Sequence, residues 1–67
     1  MDPLEEAIVH QRAKLQAVAN RINPRLTADD VLSPADFPEL AGDPLFNYEE
    51  GILAGLISAQ VLIRAKS

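Results

Sequence analysis

Asn47-Tyr48-Glu49-Glu50-Gly51-Ile52-Leu53-Ala54-Gly55-Leu56-Ile57-Ser58-Ala59-Gln60-Val61-Leu62-Ile63-Arg64-Ala65-Lys66 decides the fold. At about 100° per residue its apolar side chains wrap almost the whole helix. Ile52, Leu56, Ala59 and Ile63 fall on one narrow stripe, and Leu53, Ile57 and Val61 on a second about 120° away. Gly51, Ala54, Gly55, Ser58 and Ala65 form a third side of small residues, with Leu62 beside it. A helix apolar nearly all round is a buried helix, and a single partner helix cannot cover it. The start reads as a capping box, Asn47 to Glu50, and Arg64 and Lys66 suit the negative end of the helix dipole. The expected span is about 47–66. Asp43-Pro44-Leu45 offers an earlier start, because it repeats Asp2-Pro3-Leu4.

That first Asp-Pro-Leu opens the other long helix. Asp2 caps, Pro3 takes the first helical position, and Glu5 stands three residues after the cap. Leu4, Ile8, Gln11, Leu15, Val18 and Ile22 then follow at heptad-like spacing, a seam with one polar interruption. Asn23-Pro24 ends it, since the residue before proline avoids helical geometry. The expected span is about 3–22.

The connection, about 23–46, is long for a structureless loop. Thr27-Ala28-Asp29-Asp30 and Ser33-Pro34-Ala35-Asp36 both read as cap, two residues, then acid, so short helical turns are expected. Leu26, Val31, Leu32, Phe37, Leu40, Leu45 and Phe46 are available to pack down.

Charge selects the pairing of the long helices. No lysine or arginine lies between Arg25 and Arg64, whereas Asp29, Asp30, Asp36, Glu39, Asp43, Glu49 and Glu50 all do. In an antiparallel hairpin Arg21 and Arg25 approach Glu49 and Glu50, and Glu5 and Glu6 approach Arg64 and Lys66. Each such surface pair contributes only about 0–1 kcal/mol, so charge sets the direction and the apolar seam supplies the stability. The reading is an all-α, single-domain antiparallel hairpin over 1–67 with a partly ordered linker. The surplus apolar surface is expected to bring the chain together with itself, as a homodimer or higher oligomer. Leu53, Ile57, Val61, Leu62, Gly51 and Gly55 are the residues expected at that contact or at one with another protein.

Composition limits the function. The 67 residues carry a net charge of −4, which repels phosphate backbones. The few cations Arg12, Lys14, Arg21 and Arg25 have no interleaved aromatics, so nucleic acid is not an expected partner. The N-terminal Met1-Asp2-Pro3-Leu4-Glu5-Glu6 is acidic where a secretory signal would be basic. The apolar run Gly51–Ile63 is shorter than the roughly 20 residues a membrane span needs. A cytoplasmic protein with no membrane partner is expected.

Without cysteine there is neither a disulfide nor a thiolate metal site. His10 is the only histidine. The acids match neither an EF-hand loop nor a Glu-x-x-His pair, so no metal and no cofactor are expected. A hydroxyl nucleophile would have to be Thr27, Ser33, Ser58 or Ser67 acting with His10. Capping explains Thr27 and Ser33, and small size explains Ser58. There is no glycine-rich phosphate loop. No catalytic residue is assigned. The expectation is a small protein-binding or assembly module acting through the second long helix. The acidic segment Asp29, Asp30, Asp36, Glu39, Asp43, Glu49 and Glu50 is its docking face for a basic partner. A purely structural homo-oligomer is the alternative, and an enzyme or metal-binding protein a distant one.

Overall fold

The computed structural model describes residues 1–66; Ser67, the last candidate nucleophile, lies outside the described residues. Four α-helices follow in order: α1 (Pro3–Ile22), α2 (Ala28–Val31), α3 (Pro38–Ala41) and α4 (Pro44–Lys66), with a 3₁₀ turn at Pro34–Asp36. No strand occurs among the described residues. The long helices α1 and α4 pack against each other as a hairpin, and the linker folds onto one end of it.

The ends of α1 follow its sequence signals. Asp2 Oδ1 accepts from the Glu5 N–H at 2.8 Å, and Pro3 opens the helix. At the other end Asn23 leaves helical geometry at φ −147° and donates its N–H to the Ala19 carbonyl. Ile8, Gln11, Leu15 and Val18 are buried and Leu4 and Ile22 half-buried, as the seam requires. Ala19, outside the seam, has no exposed surface and lets the chain approach closely there.

The linker turns are short but tightly held. Thr27 and Asp30 form a reciprocal capping box: Thr27 Oγ1 accepts from the Asp30 N–H at 3.2 Å, and Asp30 Oδ2 accepts from the Thr27 N–H at 2.9 Å. Ser33 makes no side-chain cap bond; the turn after it opens on Pro34, whose missing N–H leaves fewer donors to satisfy. The Leu26 carbonyl accepts from Asn20 Nδ2 at 2.8 Å and Gln16 Nε2 at 3.1 Å, which straps the linker onto α1. Leu26, Val31 and Leu40 then sink into the core, where Leu40 and Phe46 are sealed from solvent.

Two expectations about α4 change. The helix begins at Pro44, three residues before the expected Asn47, because Asp43 is the cap: its Oδ1 accepts from the Phe46 N–H at 2.8 Å. Asn47 already sits inside the helix and donates its side-chain amide back to the Ala41 carbonyl. The face turned toward α1 also differs. It is Phe46, Glu49, Leu53 and Leu56, whereas Ile52 and Ile63 of the expected stripe are exposed. Burying Phe46 rotates the helix so that the contact runs between the two apolar stripes rather than along either.

Candidate functional site

That rotation leaves a groove beside the contact of α1 and α4. Leu53, Ala54 and Ile57 on α4 face Arg12, Ala13, Leu15 and Gln16 on α1, and Ala28, Val31, Leu32 and Pro34 of the linker close one end. The result is a half-open groove of about 710 Å³, apolar on its floor, with Arg12 on one lip and Glu50 on the other. Few polar groups around an apolar hollow of this size is the usual composition of a binding site.

The expected contact residues divide between three environments. Leu53 belongs to the core and shows only 8% of its surface, at the floor of the groove. Ile57 is half-buried and lines the groove, and Val61 is 61% exposed beyond its open end. The linker therefore walls the second stripe at one end and leaves the groove open. Leu62 is 59% exposed on another side of α4, the side of the glycines.

A Cβ built at Gly51 or Gly55 meets nothing within 4 Å, so no neighbour within the chain, Phe46 included, requires a glycine there. Gly55→Ala should then stabilise the folded monomer by about 0.5–1 kcal/mol, since alanine restricts the unfolded chain and favours the helix. Thermal melts at low protein concentration would show the gain as a raised Tm. A lowered Tm would mean that another surface already lies against this side.

The seven acidic residues do not form one face. Asp30 and Asp43 are held in helix caps, Asp29, Asp36 and Glu39 are exposed on the linker, and Glu50 is on the groove lip. Glu49 turns inward and is only 4% exposed. Gln11 Nε2 donates both to its Oε1 at 2.8 Å and to its backbone carbonyl at 2.9 Å. Lys14 Nζ stands 3.3 Å from Oε2. Arg21 and Arg25 were the expected partners, but α4 starts earlier than expected and the linker occupies their end of the hairpin. At the far end Arg64 meets Glu5 at 3.4 Å, as the antiparallel reading requires.

Gln11 was legible only as a break in the apolar seam, and Glu49 as one acid among many. The structure makes them a pair. The hydrogen bond from Gln11 lowers the Glu49 carboxyl below its ordinary 4.5; burial opposes this, and Lys14 adds to the lowering. A carboxylate held down in the folded state stabilises the fold above the ordinary value, and that contribution is lost as pH falls from about 4.5 through the folded value. Glu49→Gln should remove this part of the acid sensitivity. The difference in Tm between wild type and variant would narrow from pH 7 to pH 3; a pH-independent difference would show that Glu49 ionisation does not support the fold.

Among the described residues no buried side-chain nitrogen or oxygen lacks a partner, and no three acidic, histidine or cysteine side chains converge as a metal site would need. Thr27 is committed to its cap, and His10 and Ser58 are exposed. No helix among the described residues is long and apolar enough to cross a membrane. Comparison with family models, curated proteins and solved structures finds no match to this chain.

Proposed function

We propose that this chain is a small protein-binding or assembly module, without catalysis, whose working element is α4. The observation that carries the reading is the solvent-facing surface of that helix. Leu45, Tyr48, Ile52 and Ile63 remain exposed along one side of it and Val61 and Leu62 around the others after the hairpin and linker have packed. An isolated apolar residue on a surface is ordinary, but a run of them along one helix marks a contact site. Self-association is the simplest contact for a domain this small, because a second copy supplies the core that a short chain lacks.

Light scattering across micromolar to millimolar concentration tests the reading. A mass of twice 7.3 kDa or more supports self-association, and 7.3 kDa throughout overturns it. A second reading rests on the exposed linker acids Asp29, Asp36 and Glu39. There a basic protein would dock, and its capture would weaken as salt rises.

A further inference from the structure

We infer that the groove between α1 and α4 is closed by α4 of a second copy of this chain, lying antiparallel and centred near Ile57, so that two hairpins form a four-helix bundle. The inference rests on the assembly reading above and goes beyond it by naming the groove side of α4, which among those exposed residues carries Val61, and the direction. Around the side of α4 that borders the groove, Glu50, Ala54, Ile57, Val61 and Arg64 follow at spacings of four, three, four and three. That is a heptad seam, the pattern by which one helix packs along another. It lies beside the face that α4 turns toward α1 and meets that face at Ile57 and Arg64.

The charges at its ends choose the direction. Glu50 and Arg64 stand seven residues to either side of Ile57, an acid at the start and a base at the end. A parallel copy would set acid against acid and base against base. An antiparallel copy sets each Glu50 beside the other copy's Arg64. Arg64 already meets Glu5, but a guanidinium carries five N–H donors and can hold both carboxylates.

The shapes agree as well. On the α1 lip Ala13 is small and Gln16 is tied back to Leu26, which leaves Arg12, an exposed and flexible side chain, as the one bulky group an approaching helix moves aside there. Ile57 and Val61 of the incoming copy enter an apolar hollow, and the exposed Leu32 at its wall is covered. Two two-helix units joined this way make the common antiparallel bundle geometry.

The chain contains no cysteine, so single-cysteine variants report cleanly on what is apposed. Ile57→Cys and Gly55→Cys would each be treated with a short bismaleimide at equal concentration. Two residues apart on a helix point to nearly opposite sides, so at most one of them faces the partner. Ile57→Cys should crosslink to a dimer on the order of a hundred-fold faster than Gly55→Cys, because apposed thiols have a millimolar effective concentration. Faster crosslinking at Gly55→Cys would overturn the inference while leaving self-association standing. No crosslinking of either, with 7.3 kDa by light scattering, would overturn both.

Ile57→Cys also removes part of a half-buried side chain, so a charge exchange provides an independent check. Glu50→Arg alone and Arg64→Glu alone should each weaken self-association by roughly five-fold, as expected for paired surface charges. Mixing the two variants should restore it, since each contact then pairs acid with base. Helix content by circular dichroism shows that each variant is folded. Failure of the mixture to recover would overturn the antiparallel register, and native mass spectrometry finding a monomer with a small apolar molecule bound would overturn the second copy as occupant.

Discussion

Phe46→Ala is expected to unfold this domain at ordinary temperature. Phe46 has no exposed surface and belongs to the buried core that joins the long helices and the linker. Truncating a fully buried phenylalanine costs about 3–5 kcal/mol, the transfer energy of the ring plus the cavity it leaves. A domain of 67 residues has only a few kcal/mol of net stability to lose. Circular dichroism at 25 °C should show helix content collapsing, and urea titration should show no folded baseline. A cooperative melt within a few degrees of the wild type would mean that the core closes around the gap and that Phe46 does not organise it. Phe46→Leu keeps most of the volume and should retain the fold with a lower Tm.

Leu40→Ala should cost about 2–5 kcal/mol, as much as a core truncation in either long helix. Leu40 belongs to a helix of only four residues, which could not persist by its own propensity. Its side chain nevertheless has no exposed surface. The linker is therefore part of the core rather than a tether between two helices. Leu32→Ala, on the same linker but 68% exposed, should change monomer stability by less than about 0.5 kcal/mol. Equal small effects from the two substitutions, measured by chemical denaturation, would show that the linker is dispensable to folding.

The local signals in the sequence were strong where a single chemical group decides the outcome. Asp2-Pro3, Asn23-Pro24 and the Thr27–Asp30 box fixed their positions, because cap hydrogen bonds and proline geometry depend on a few neighbouring residues. The two Asp-Pro-Leu segments do the same work at the starts of α1 and α4, yet Asn47-Tyr48-Glu49-Glu50 read as the better start for the second. Asn47 satisfies a carbonyl behind it instead, a bond to Ala41 that depends on the path of the linker.

The rotation of α4 was beyond local reading for a similar reason. A helix apolar on three sides has no preferred face of its own. What selects the face is the burial of Phe46 and the pairing of Gln11 with Glu49, contacts 38 residues apart in the sequence. Leu53 accordingly moved from the expected contact surface into the core, while Ile57 and Val61 stayed at the groove and beyond it. The seven acids were visible as a charge imbalance, but their division into caps, an internal partner and free surface follows in part from a tertiary contact distant in sequence, that of Glu49 with Gln11.

The cation-free run between Arg25 and Arg64 has a consequence for how this protein is dismantled. A protease that requires lysine or arginine at the cut finds one site in the linker, after Arg25 at its very start, and none in the rest of it or in the first five turns of α4. Apart from the cut after Arg25, such an enzyme reports only on the opening of α1 and of the last turn of α4, however often the rest of the linker detaches. Proteases that cut after leucine or acidic residues would find Leu32 and Glu39 there. The ratio of the two digestion rates would read the opening of the linker separately from the opening of the hairpin.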